Sequence, residues 1–166
     1  MGSRKVIVFM LAEQPYAVSV EQVREIIRWP GVRPVPQTHP AFLGVSSVRG
    51  EVLPVIDLAA FLGIQSDLPA EQKKLILLEI REQGLKLGLA VDHVHRIYTI
   101  DDDQVDTSLV GTFLGENLTS VIKQDGENIL LPDFGRILSS LQAEALRLSK
   151  ATDPEDPAVP EESAPR

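Results

Sequence analysis

Two short groups of side chains in this sequence have types and spacing that could do chemistry. His93 and His95 stand two residues apart, so on a strand they would share one face and could bind a metal ion together. Ser46 and Ser47 follow a glycine, as in a hydrolase nucleophile turn, but Val48 stands where that turn needs a second glycine. Two histidines alone are too few for a metal site. The sequence therefore predicts no catalytic residue, metal or other cofactor, and a small hydrolase or ligand-binding barrel is the alternative from a different class.

Composition and charge exclude further classes of function. The 166 residues include no cysteine, which removes disulfides, thiolate metal sites and cysteine nucleophiles. A net charge of -8 argues against a nucleic-acid partner, because such proteins concentrate lysine and arginine. No apolar run reaches the roughly 18 residues that span a bilayer, and no signal segment follows Met1. We therefore expect a cytoplasmic protein without direct membrane insertion.

The elements that position any site are indicated by an internal repeat, at an offset of about seventy residues. The segment Lys5–Gln14 is matched by Lys74–Gln83, and Tyr16–Ile26 is matched by Leu87–Ile97. Self-similarity at a fixed offset is typical of a repeated structural unit. The positions where the two copies differ are therefore the natural candidates for a specific function.

Short apolar runs between glycine, proline or charged turns predict β-strands throughout the chain. Gly50 and Gly126 are the expected turn glycines of two hairpins. Val23–Ile27 fits a further strand or a short helical turn, and Asp57 is placed to cap a short helix. The other predicted strands are Val6–Leu11, Tyr16–Val20, Val45–Val48, Val52–Ile56, Leu75–Ile80, Lys86–Val91, Val94–Tyr98, Thr119–Lys123 and Asn128–Leu131.

After Asp133 the apolar residues recur at helical spacing, which predicts an amphipathic helix ending near Lys150. Residues 151–166 hold four prolines and five acidic residues, so they predict a disordered acidic tail. Short strands at regular spacing are typical of small barrels. We expect one domain over residues 1–150, with one barrel per copy over 1–68 and 74–150 and a link at Gln65–Lys73.

Two charged positions reverse sign together between the copies. Glu25 corresponds to Arg96, and Arg49, which precedes a turn glycine, corresponds to Asp125. The reversal predicts that Glu25 approaches Arg49, and that Arg96 approaches Asp125. Arg49 then has two possible roles, which the sequence leaves open. It either stabilises its own hairpin through an exposed ion pair, or it is held ready as an anchor for a partner.

The segment from Gly44 to Leu58 reads GVSSVRGEVLPVIDL, and it closely resembles the CheW-like domain signature GVxNLRGxIxPxIDL. The resemblance extends across nearly the whole body of the chain. It implies a mainly β fold of two tandem five-stranded SH3-like barrels with a C-terminal amphipathic helix. It also implies a non-enzymatic, stand-alone chemotaxis coupling protein that joins chemoreceptor cytoplasmic tips to the regulatory domain of a CheA-type histidine kinase.

The same resemblance assigns partner surfaces by position. The residues that it implies for receptor binding are Val23, Glu25, Arg49, Val91, Asp92 and Val94. Those that it implies for kinase binding are Leu43, Gly44, Val52 and Leu53. An adaptor of this kind would be cytoplasmic and recruited to membrane receptor arrays. The alternative within the family is an adaptor of a pilus-twitching or other non-flagellar chemosensory pathway.

Overall fold

The computed structural model describes residues 2–36, 39–108 and 117–152, with side chains as far as residue 143. Within this part of the chain there are eleven β-strands and two α-helices. The strands are β1 (Ser3–Leu11), β2 (Gln14–Ser19), β3 (Val23–Arg28), β4 (Phe42–Val48), β5 (Glu51–Asp57), β6 (Lys74–Ile80), β7 (Leu85–Val91), β8 (His93–Asp101), β9 (Val105–Asp106), β10 (Leu118–Gln124) and β11 (Glu127–Pro132). The helices are α1 (Leu58–Leu62) and α2 (Phe134–Thr152).

The predicted elements are confirmed where they depend on local sequence pattern. The segment Val23–Ile27, left open between strand and helical turn, is a strand, since it lies within β3; a 3-10 turn at Val20–Gln22 precedes it directly. Gly50 and Gly126 both have φ of 82°, the left-handed conformation that tight hairpin turns require. Asp57 caps α1, since its side chain accepts the N–H of Ala60 at 3.3 Å.

The strands form two SH3-like barrels, but the barrels do not follow the two halves of the sequence. The five-stranded sheet has the order β3-β6-β7-β5-β4, and the six-stranded sheet has the order β8-β1-β2-β11-β10-β9. The first hairpin of each copy, β1–β2 or β6–β7, thus lies in the barrel built mainly by the other copy. The expectation of one barrel per half, over 1–68 and 74–150, is wrong in this respect. Parallel pairing of β7 with β5, and of β2 with β11, joins the exchanged hairpins to their new sheets.

The exchange places the largest apolar core between the barrels. One face of the β6–β7 hairpin packs there against β1, β2 and the start of α2. Among its fully or nearly fully buried members are Phe9, Leu11, Ile76, Leu78, Leu89, Val91, Phe134 and Ile137. Smaller clusters fill the interior of each barrel. Apolar packing in this core therefore holds the two barrels against each other, and polar contacts that cross between the barrels add to it.

Helix α2 confirms the predicted amphipathic helix and extends to Thr152. The rest of the predicted acidic tail lies outside the described residues. In the part of the chain that the structure describes, neither helix is long and apolar enough to cross a membrane.

Candidate protein-binding site

The predicted contact between Glu25 and Arg49 is present. Nε of Arg49 donates to Oε2 of Glu25 at 2.8 Å, and Nη2 lies 2.8 Å from the same oxygen. Glu25 lies on β3 and Arg49 lies in the β4–β5 turn, at the two opposite ends of the five-stranded sheet. The ion pair therefore joins the two edges that meet when this sheet curves into a barrel.

Arg49 holds this position with an unusual backbone. Its φ of 52° lies in the left-handed region, which arginine rarely adopts because Cβ crowds the following carbonyl oxygen. The turn is of the type that favours Asn-Gly or Asp-Gly, and the equivalent turn in the other barrel uses Asp125 with the same φ of 52°. Left-handed non-glycine residues often occur at functional positions.

Exposed charges of both signs surround the pair. Glu51 contacts Lys86 at 3.2 Å and Arg24 at 3.5 Å, and Arg24 is 3.9 Å from Glu79. Among these paired side chains Arg49 is the most exposed, at 74%. Its guanidinium can therefore contact a partner while Glu25 orients it.

The second half of the charge-reversal prediction is wrong. Among the described residues no ion pair joins Arg96 to Asp125, and the Arg96 guanidinium lies over the ring of Tyr98 at 5.9 Å. The repeat places Ile27 at the position of Tyr98 in the first copy. Arg96 in the second copy therefore has an aromatic ring beside it, whereas the equivalent neighbour of Glu25 in the first copy is the aliphatic Ile27.

Two of the apolar receptor-binding candidates lie at the edge of the inter-barrel core. Val23 on β3 and Val94 on β8 are half-buried and pack against this core, as does Val20. β3 and β8 are edge strands of different barrels, and the turn containing Val20 lies against both β1 and β6. We call Val20, Val23 and Val94 the inter-barrel rim. Because Glu25 is two residues after Val23, the Arg49–Glu25 pair lies next to this rim.

Val91 and Asp92 lie behind the rim rather than on it. Val91 is fully buried, and Asp92 is only 4% exposed. Lys73, itself buried, places Nζ at 2.7 Å from Oδ1 of Asp92. Oδ2 accepts the hydroxyl of Ser66 at 2.7 Å and the N–H of Ala12 at 2.8 Å. These residues present almost no surface to a partner.

The charge on Asp92 is stabilised by these contacts. Burial opposes its ionisation, but hydrogen bonds from Lys73, Ser66 and Ala12, together with the positive charge of Lys73, outweigh that effect. The pKa of Asp92 therefore lies below its ordinary value. At neutral pH Asp92 is therefore a carboxylate, ion-paired with Lys73.

The kinase-binding candidates lie along the β4–β5 hairpin of the five-stranded barrel. Val52 is 69% exposed, whereas Leu53 points into the barrel interior, where the half-buried Leu43 also packs. Gly44 is buried beneath Arg33, whose carbonyl oxygen would lie 2.0 Å from any added Cβ. Only Val52 of these four therefore presents a large apolar surface.

The histidine and serine candidates have structural surroundings. His93 and His95 are both exposed on β8, and no group of three metal-binding side chains occurs within the described ranges. The buried Ser46 donates its hydroxyl to the carbonyl of Gly31 at 2.8 Å, and Ser47 is exposed on the same strand.

Sequence reasoning missed two features. The Lys73 and Ser66 contacts to Asp92 join residues far apart in the chain, and no local pattern marks them.

The second missed feature is a pair of exposed isoleucines. Ile26 and Ile97, which are 39% and 56% exposed, occupy equivalent repeat positions on the edge strands β3 and β8. Their equivalence was visible in the repeat, but their exposure depends on which strands form the sheet edges. Exposed apolar side chains on edges are typical of interaction surfaces.

Paired small barrels with an oriented surface arginine, an apolar rim between them and an exposed valine on one hairpin define a class of protein-binding scaffolds. The sequence matches the family model for the CheW-like domain over residues 5–142, and the chain belongs to this family. Family membership indicates a non-catalytic adaptor of the chemotaxis type.

Named relatives support this assignment. The chain is 30% identical to the chemotaxis protein CheW of Thermotoga maritima over 137 residues, 82% of this chain and 89% of that protein. It is 32% identical to the probable chemotaxis protein CheW of Rhizobium etli over 146 residues, 87% of this chain and 93% of that protein. The crystal structure of the scaffolding protein TtCheW from Thermoanaerobacter tengcongensis matches with a TM-score of 0.72 and 28% identity, covering 80% of this chain and 90% of that one.

Proposed function

We propose that the chain couples chemoreceptor cytoplasmic tips to the regulatory domain of a CheA-type histidine kinase. The observation that carries the proposal is the exposed guanidinium of Arg49, held by Glu25 in a left-handed turn next to the inter-barrel rim. An apolar rim flanked by an oriented arginine suits an amphipathic helix, such as those of a receptor hairpin. The adaptor would work in the cytoplasm and be recruited to receptor arrays.

A separate surface suits the kinase. An open groove of about 600 Å³ runs along β4, between the Pro30–Arg33 segment and Val52. Val52 is the large exposed apolar side chain here, and it lies opposite Ser47 in the hairpin register. An exposed apolar residue beside an edge strand favours contact with another sheet, as in the pairing of two barrels. The proposal thus assigns the receptor to Arg49 and the inter-barrel rim, and the kinase to Val52 and the groove along β4, so that both partners would bind together.

Calorimetric titration of the whole protein tests both contacts. One titrant is a receptor-tip hairpin, and the other is the regulatory domain of a histidine kinase from the same cell. Val52→Asp should weaken kinase-domain binding at least about tenfold and leave receptor binding unchanged. Arg49→Glu should weaken receptor binding at least about tenfold and leave kinase-domain binding unchanged. Asn128→Asp is the matched control for Val52→Asp, because Asn128 is the exposed repeat equivalent of Val52 in the other barrel.

The outcomes separate the candidates. Absence of saturable binding to either titrant would refute the coupling function. Binding to the kinase domain of a pilus pathway, and not to that of a flagellar pathway, would assign the chain to the non-flagellar alternative. Equal losses of kinase-domain binding with Val52→Asp and Asn128→Asp would show that the exposed face around Val52 has no specific role in that contact.

A further inference from the structure

Asp92 occupies the point at which the chain crosses between barrels. β7 ends at Val91 in the five-stranded sheet, and β8 begins at His93 in the six-stranded sheet. The backbone N–H of Asp92 donates to the carbonyl of Met10 on β1 at 3.1 Å. The residue is therefore anchored to the six-stranded barrel as soon as the chain leaves the other one.

The side chain of Asp92 then connects the two barrels. Its Oδ2 accepts the N–H of Ala12, in the β1–β2 turn of the six-stranded barrel. The same carboxylate accepts Ser66 and Lys73, and these lie in the segment that leads from α1 into β6 of the five-stranded barrel. Lys73 also donates to Ser66 at 3.2 Å, which closes the network.

This network is better suited to fixing geometry than to adding stability. Buried ion pairs are often no more stabilising than apolar side chains of similar volume, because removing both charges from water offsets their attraction. Their hydrogen bonds are directional, however, while apolar packing tolerates small shifts. Ala12 reinforces the point: its φ of 55° is strained for alanine, and its N–H is held by Asp92.

We propose that Asp92, Lys73 and Ser66 are positioning residues that fix the angle between the barrels, and thereby the spacing of Val23 and Val94 across the inter-barrel rim. These residues do not touch the partner. The consequence for receptor binding rests on the proposed function, whereas the effect on the inter-barrel angle does not.

Spin labelling tests the inter-barrel angle directly. The chain contains no cysteine, so Ala60→Cys on α1, which directly follows β5 of the five-stranded barrel, and Asn128→Cys on β11 of the other barrel introduce two unique labels. Both positions are exposed and lie outside the proposed partner surfaces. Pulsed electron paramagnetic resonance should give a narrow distance distribution in the otherwise unchanged protein. Asp92→Asn should broaden or shift that distribution and weaken receptor-tip binding at least tenfold, with kinase-domain binding retained within twofold.

Two further variants make the result decisive. Asp106→Asn is the matched control, because the Asp106–Lys123 pair, at 3.6 Å, lies within one barrel. It should leave distances and binding unchanged. Ser66→Ala removes one hydroxyl and keeps the ion pair, so it should broaden the distribution less, and it decides the question if Asp92→Asn does not fold.

The failures of the two proposals can be told apart. A folded Asp92→Asn protein, or Ser66→Ala in its place, with the unchanged distance distribution would overturn the positioning role even if binding fell. A broadened distribution with full receptor binding would overturn the link to the rim. If the unchanged protein bound no receptor tip, the proposed function would fail, but the distances would still decide whether the network fixes the barrels.

Discussion

Replacing Arg49 by asparagine should separate stability from binding. Asparagine tolerates the left-handed conformation, and Arg49→Asn creates an Asn-Gly pair, which this hairpin turn favours. Relief of the strain is worth up to about 1–2 kcal/mol in favour of the variant. Loss of the exposed contact to Glu25 costs about 0–1 kcal/mol. The free energy of unfolding should therefore stay the same or rise by roughly 1 kcal/mol.

For a domain of this size, such a gain corresponds to a rise in Tm of about 2–4 °C. Receptor binding should move the opposite way. An arginine anchor contributes about 2 kcal/mol or more, which is roughly a 30-fold loss of affinity. Differential scanning calorimetry and titration with the receptor-tip hairpin measure the two quantities on the same samples.

Asp125→Asn is the matched control, since Asp125 has the same φ of 52° and also precedes a turn glycine. It should leave Tm within about 1 °C and binding unchanged, because aspartate already suits this turn. Receptor affinity within twofold of the unchanged protein for Arg49→Asn would refute the anchor role. A fall in stability of more than about 2 kcal/mol would show instead that Arg49 mainly stabilises its hairpin.

Three further perturbations test other parts of the structure. The double substitution Glu25→Arg with Arg49→Glu exchanges the two charges and should restore the ion pair. The free energy of unfolding should then be within about 1 kcal/mol of the original, while receptor binding stays lost. Recovery of both stability and receptor binding would favour a purely structural pair. Gly44→Ala should lower the free energy of unfolding by about 1–3 kcal/mol in urea titration, because the added Cβ would displace Arg33 and break its two hydrogen bonds to Val45. Gly88→Ala should lower the free energy of unfolding by less, since its Cβ meets the movable side chain of Leu75. The lowered pKa of Asp92 means that the unfolded chain binds its proton more tightly, so its contribution is complete above the ordinary value of about 3.9 and is lost as the pH falls through the lower pKa of the folded protein. Asp92→Asn should flatten stability against pH in that acidic window, and an unchanged slope would contradict the assigned network.

Features that depend only on residues near each other in the chain could be predicted from the sequence. Strands, the capped helix α1 and the turn glycines Gly50 and Gly126 are specified by apolar periodicity and backbone conformation, both local properties. The contact between Glu25 and Arg49 was also predictable, because the repeat showed two charges reversing sign together. The same inference was wrong for Arg96, whose partner is the nearby ring of Tyr98 rather than Asp125.

The tertiary structure alone decided which strands share a barrel and what Asp92 does. Each first hairpin could pair with either copy, because both copies offer strands of similar pattern, and only burial of the shared core between the barrels selects the exchanged arrangement. From the sequence, Asp92 was expected at the receptor-binding surface, as the family resemblance implied. Its partners Ala12 and Ser66 lie 80 and 26 residues away, so the fold must bring them together before the residue becomes a buried link between the barrels.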